Sequence, residues 1–182
     1  MKIDKSWTLF LDRDGVINKK KDNDYVKNWK EFLFIDRSVD AISFLSKVFG
    51  KIIIVTNQRG VGKGVMTELD LTLIHQKMVR SLEKKSGRID KIYYCTCVSD
   101  NAECRKPNIG NALKAKLDFP DIDFKKSVIV GDSLSDMIFG KKTGMSRILI
   151  SSSTKLIENS KNFDKIFKSL FDYSNFLKKN EV

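Results

Sequence analysis

Short apolar runs alternating with amphipathic stretches constrain this chain more than any other feature of its sequence. The runs cover residues 7–11, 52–55, 92–94, 128–130 and 148–150. Each is rich in β-branched or aromatic residues and nearly free of charge, as strands covered on both faces should be. Helical periodicity fills the gaps. Val39, Ile42, Leu45 and Val48 form one stripe, with Gly50 as its C-cap. Leu71, Ile74, Met78 and Leu82 form another, opened by a Thr67–Asp70 capping box and stopped by Gly87. Leu113 with Leu117, and Leu134 with Ile138, mark two more helices; Ile166, Phe167, Leu170 and Phe171 mark a last one. Strand and helix alternating over the whole length predict about five parallel strands joined by right-handed helical crossovers, an α/β fold. Two prolines, no repeat and no low-complexity linker predict one domain over residues 1–182.

Open α/β sheets bind ligands at the carboxyl ends of their strands, so the residues after each run carry the functional information. The first run leads into Asp12-Arg13-Asp14-Gly15 and the second into Thr56-Asn57-Gln58 and a Gly-rich loop ending at Gly64. The third leads to Cys104-Arg105-Lys106-Pro107, and the fourth to Gly131-Asp132, with Asp136 shortly after. Carboxylates, a hydroxyl and a lysine converging on one sheet edge fit phosphoryl transfer. Asp12, Asp132 and the main-chain oxygen of Asp14 offer hard ligands for Mg²⁺. A carboxylate nucleophile at Asp12 would split hydrolysis into two steps through an acyl phosphate. Asp14 would protonate the leaving oxygen and later activate water. Thr56 and Lys106 would hold the phosphoryl oxygens. A binding module with a dead site is the rival reading, and the intact set speaks against it.

These four segments, in this order and each at a strand end, resemble the four motifs of the haloacid dehalogenase superfamily of phosphatases over roughly residues 8–150. That resemblance implies a Rossmann-like fold, a Mg²⁺ cofactor and the roles just given. No cap domain is expected, because the chain between Asp12 and Lys106 has room for only two helices and two strands. Residues 12–18, Tyr25-Val26, residues 56–58 and residues 104–107 are most similar to the branch of heptose bisphosphate and histidinol-phosphate phosphatases. The loop from Gly60 to Gly64 resembles the heptose enzymes more closely. On that resemblance Arg13, Asp22, Tyr25, Asn57, Gln58, Arg59, Arg105 and Ser133 would face the substrate, and residues 19–24 form a slightly longer loop than usual. A polynucleotide 3′-phosphatase carries similar motifs and is the third reading.

Charge and cysteine bear on the choice. The 34 basic residues exceed the 23 acidic ones, a net charge of +11. The excess is Lys scattered along the chain without a basic-aromatic ladder, so nucleic acid is not the expected partner. A small phosphorylated sugar is, with Arg59 and Arg105 taking its second phosphate in bidentate contacts. No run approaches the ~18 apolar residues of a membrane span, and the N-terminus lacks a signal-peptide pattern. The expectation is a cytoplasmic monomer. Three cysteines argue against a disulfide framework. Relatives carry a zinc loop before Arg-Lys-Pro. Here Cys95, Cys97 and Cys104 remain, with Cys97 in a His position and Ala102 in a ligand position. A fourth ligand would have to come from Asp100 or Glu103, so the expectation is a degenerate loop without zinc. The single histidine, His75, falls mid-helix and is expected to be packed or solvated rather than catalytic.

Overall fold

A computed structural model describes residues 2–152 and 162–180. The first strand, β1 (Thr8–Leu11), is fully buried. It is followed by helix α1 (Ser38–Val48) and strand β2 (Lys51–Asn57). A single helical turn, α2 (Arg59–Gly62), and the long helix α3 (Glu68–Glu83) lead to strand β3 (Lys91–Cys95). Helix α4 (Gly110–Asp118), strand β4 (Ser127–Gly131) and helix α5 (Leu134–Thr143) come next. Strands β5 (Ser146–Ile150) and β6 (Lys165–Phe167) and helix α6 (Leu170–Asn180) close the described chain. The strands form one sheet in the order β3-β2-β1-β4-β5-β6, every pair parallel. The chain thus builds outward from β1 to β3, then returns to the other side of β1. That reversal between β1 and β4 is the crevice where ligands bind in such sheets.

The period-2 pleat splits each strand between two cores. Leu9, Leu11, Ile52, Ile54, Val128 and Val130 point into the larger one, against Ile42 and Leu45 of α1, Ile74 and Met78 of α3, and Tyr173 and Leu177 of α6. Phe10, Ile53, Val55 and Ile129 point the other way, onto Ala112 and Ala115 of α4 and Phe139 of α5. Each fully buried Leu, Ile or Phe contributes ~1.5–3 kcal/mol.

Several expectations change. Among the described residues the sheet has six strands rather than about five, because Ile166 and Phe167 join β5 as an edge strand and the last helix starts only at Leu170. Leu113, Leu117 and Leu134 are exposed, and the inward faces of α4 and α5 are carried by small or aromatic side chains instead. The Thr67–Asp70 capping box is present: Asp70 N donates to Thr67 Oγ1 at 3.0 Å and Thr67 N to Asp70 Oδ2 at 2.9 Å. After α3 the left-handed residue is Ser86, not Gly87, and Gly50 has no positive φ after α1. Its place is fixed by Lys5, whose carbonyl oxygen would lie 2.0 Å from any Cβ there.

Candidate active site

Asp12 follows β1 directly, its N–H donating to Val130 O of β4 at 2.9 Å. The chain then turns tightly, with Ile17 N and Asn18 N donating back to Arg13 O. Gly15 makes the turn workable. It has φ +88°, and a Cβ there would sit 2.2 Å from Asp132 Oδ2. The glycine therefore lets this loop lie against the carboxylate that follows β4. Gly131 serves the fourth segment in the same way, since a Cβ would press within 2.2 Å of Asp136 Cβ.

Lys106 is buried between two carboxylates, its Nζ 3.0 Å from Asp12 Oδ1 and 2.5 Å from Asp136 Oδ1. Asp136 is fully buried, and its other oxygen accepts from Ser133 N at 3.1 Å and Ser133 Oγ at 2.5 Å. One carboxylate thus caps α5 and anchors the lysine. Asn57 fixes the lysine's backbone from β2: its side-chain oxygen accepts from Lys106 N and its amide donates to Lys106 O, both at 3.0 Å. The Lys106–Pro107 peptide is cis. Thr56 is buried at the end of β2 and accepts from Gln58 Nε2 at 3.0 Å, while the same amide donates to Asp14 Oδ2 at 2.7 Å.

The electrostatics follow from crowding. Carboxylate oxygens of Asp12, Asp132 and Asp136 lie within 4.8 Å of one another. Burial pushes Asp12 up to about 7; Lys106 opposes this, while Asp136, Asp132 and Asp14 reinforce it. Asp132 is also raised by burial, against the pull of Lys20, whose Nζ lies 2.9 Å from Asp132 Oδ2. Lys106 is held above its ordinary range: burial works against its charge, but Asp12 and Asp136 outweigh it. Asp14 goes the other way. Burial opposes its ionisation, yet the Arg13 guanidinium and hydrogen bonds from Arg13, Asn18 and Gln58 hold it below the usual carboxylate range. Asp132 Oδ1 is buried without a hydrogen-bond partner. Excess negative charge and an unused hard oxygen are what a divalent cation such as Mg²⁺ would satisfy. The donor set fits one.

The residues read as substrate-facing divide. Arg59 and Arg105 meet at one oxygen of the exposed Asp100, Arg105 Nε at 3.2 Å and Arg59 through a close ion pair. Arg59 Nε and one terminal nitrogen of Arg105 are buried and unpartnered. Tyr25 packs on Gly60, with Lys63 Nζ 5.6 Å from its ring centroid, and Asp22 is exposed. Arg13 and Gln58 donate to Asp14, Asn57 pairs with the Lys106 backbone, and Ser133 donates to Asp136. Sequence reasoning gave no role to Asp136, although its spacing from Ser133 as a capping box was visible. Lys20 gave no signal beyond its place in the longer loop.

The sparse cysteines do pair, contrary to expectation. Cys95 at the end of β3 is bonded to Cys104, with Cα atoms 5.3 Å apart, and Cys97 Sγ lies 3.9 Å from Cys104 Sγ. The loop that returns the chain from β3 to Arg105 brings the three together.

The family model of polynucleotide kinase 3 phosphatase matches residues 8–170. The chain is 35% identical over 178 residues to the D-glycero-alpha-D-manno-heptose-1,7-bisphosphate 7-phosphatase of Campylobacter jejuni, covering 98% of this chain and 99% of that protein. It is 33% identical over 183 residues to the D-glycero-beta-D-manno-heptose-1,7-bisphosphate 7-phosphatase of Salmonella typhi, covering 95% and 96%. The D,D-heptose 1,7-bisphosphate phosphatase from B. bronchiseptica, solved with magnesium and phosphate, superimposes with a TM-score of 0.85 at 28% identity, covering 95% of this chain and 98% of that one.

Proposed function

From the premise that the chain belongs to the polynucleotide kinase 3 phosphatase family and is a phosphomonoester hydrolase of the haloacid dehalogenase type, we propose that it removes the 7-phosphate of a D-glycero-D-manno-heptose 1,7-bisphosphate, acting as a cytoplasmic monomer. The observation that carries the chemistry is Lys106 seated between Asp12 and Asp136, beside Asp132.

Asp12 is the nucleophile. Its carboxylate attacks phosphorus and the bond to the sugar oxygen breaks, leaving an aspartyl phosphate. Lys106 lies against Asp12 Oδ1 and meets the phosphoryl oxygens as negative charge gathers there. The Thr56 hydroxyl, at the end of the neighbouring strand, donates to the same oxygens. Asp14 gives a proton to the leaving sugar oxygen, then takes one from the water that cleaves the intermediate. Its low proton affinity in the free site rises when a phosphate dianion arrives beside it. The carboxylates of Asp12 and Asp132 and the main-chain oxygen of Asp14 would hold Mg²⁺, which when bound neutralises phosphate charge.

Arg59 and Arg105 carry the substrate reading. Two guanidiniums sharing one carboxylate oxygen, with further buried N–H groups unused, suit an anion richer in oxygens than Asp100. The second phosphate of a bisphosphate is such a group. The discriminating experiment measures kcat/KM on heptose bisphosphate, histidinol phosphate and 3′-phosphorylated DNA across a salt series. Heptose bisphosphate should give the highest value, and DNA turnover should fall steeply with salt. Faster turnover of either rival at physiological salt overturns the substrate while leaving the phosphatase chemistry standing.

A further inference from the structure

The general acid rests on a buried guanidinium, and that guanidinium rests on the chain's only histidine. Arg13 is 1% exposed. One of its terminal nitrogens donates to both oxygens of Asp14, at 3.0 and 2.9 Å. The other lies 3.1 Å from His75 Nε2, which comes from the middle of α3. Arginine has only donors to offer, so the ring nitrogen facing it must present its lone pair and the proton must sit on Nδ1. The rest of the ring is enclosed. His75 is buried, and the Tyr94 ring of β3 packs 5.6 Å from it. Tyr94 is itself pinned where its hydroxyl donates to Glu68 at the head of α3, at 2.9 Å. Among the described residues, the charges that act on the ring are Arg13, which disfavours its protonation, and Asp14, which favours it. Burial and Arg13 together push its pKa down to about 3, so it stays a neutral acceptor.

We propose that His75 is a positioning residue for the leaving-group step, its Nε2 lone pair aiming the Arg13 guanidinium that in turn aims Asp14. This rests on the reading of Asp14 as the acid that protonates the sugar oxygen. Without the acceptor, a charged donor is left buried and unsatisfied, which costs more than losing an ordinary hydrogen bond. The guanidinium then turns to find another partner, and Asp14 loses the fixed point that holds it between Asn18 and Gln58. Nucleophile, lysine and substrate contacts are untouched, so binding should be spared.

That separation gives the test. With the magnesium-loaded full chain in excess over substrate, a single turnover times release of the leaving group, the step before water attacks, on an alkyl ester (the sugar bisphosphate) and on p-nitrophenyl phosphate, whose leaving group needs no proton. His75→Leu should lower the single-turnover rate on the sugar ester by ~10- to 100-fold, the scale of a small misplacement of a catalytic group. The enzyme concentration giving half the maximal single-turnover rate should change less than about twofold, and release from the aryl ester should slow less than about threefold. His75→Gln, whose side-chain oxygen can reach Arg13, should restore leaving-group release from the sugar ester. His75→Asn is polar but a methylene short and should behave like His75→Leu, which keeps the test alive if the leucine variant fails to fold. Equal losses on the two esters, or a glutamine variant as slow as asparagine, overturn the inference. Asp14→Asn serves as the reference. If it shows no preference for the aryl ester, the assignment of Asp14 fails instead, and the two failures are told apart.

Discussion

Lys106 answers to two buried carboxylates at once, and that makes it as important to the fold as to the chemistry. Removing one partner of a buried ionic cluster costs about 3–5 kcal/mol, because the remaining charges lose their compensation. Lys106→Met should therefore melt well below the parent as well as lose turnover. A second change, Asp136→Asn, should recover part of the melting temperature and none of the activity; both are read from thermal melts and a phosphate-release assay. His75 supplies a pH signature. Its folded pKa lies near 3, well below its ordinary value of 6.5. Between those values the unfolded chain binds a proton that the folded chain refuses, so stability must fall as pH falls from about 6.5 toward 3. The slope is at most about 1.4 kcal/mol per pH unit. Metal-free Asp12, raised to about 7, runs in the opposite sense over part of that window. The histidine's share is accordingly read as the difference between parent and His75→Gln in denaturant titrations at pH 7 and 5. At this scale Asp12, Asp14, Thr56, Lys106 and Asp132 were picked out by their places after the strands, and the fold brings Asp12, Lys106 and Asp132 together. Arg13, Asn57, Gln58 and Ser133 were read as facing the substrate, and nothing local records the hydrogen bonds they make to Asp14, Lys106 and Asp136. The Asn57–Lys106 clamp joins residues 49 positions apart, and only the assembled sheet brings them together.

Among the elements, the loop after β1 and the start of α5 are pressed so close that glycine is required at their contact. Gly15→Ala would both occupy a positive φ, at about 1–2 kcal/mol, and push Asp132 aside. The variant should melt lower and need more Mg²⁺ for half-maximal activity, whereas Leu117→Glu, at 79% exposure on α4, should leave stability within about 0.5 kcal/mol. Similar stabilities for the two variants would contradict this account of the contact. Element type was legible wherever a run was long and its neighbours distinct, as in β2 and α3. It was not legible at residues 166–171, where two apolar pairs fit a helical period as well as a short strand followed by a helix. The choice is made by β5, whose open edge accepts Ile166 and Phe167. The marker leucines of α4 misled for a related reason: two alanines suffice to pack a helix closely against a sheet, and they give little periodic signal.

For the whole molecule, a cation that binds only the folded chain must raise its stability. Mg²⁺ at about a hundred times its dissociation constant should add about 2.7 kcal/mol and raise the melting temperature by about 5–10 °C. Asp132→Asn should abolish the rise, which differential scanning fluorimetry would detect without any substrate; an undiminished shift would place the ion elsewhere. The central position of β1 has a further consequence, which concerns synthesis. Of the described strands the one carrying Asp12 is made first, yet one of its two neighbours, β4, begins at Ser127, more than a hundred residues after Leu11. Until then the nascent protein holds an unpaired apolar strand edge, and Asp12, although Lys106 is already made, lacks Asp132 and Asp136. Parallel pairings between such distant segments form slowly. A ribosome stalled before residue 127 would therefore display a chain with an exposed edge and no active site, a species for chaperones to hold rather than a slower version of the enzyme.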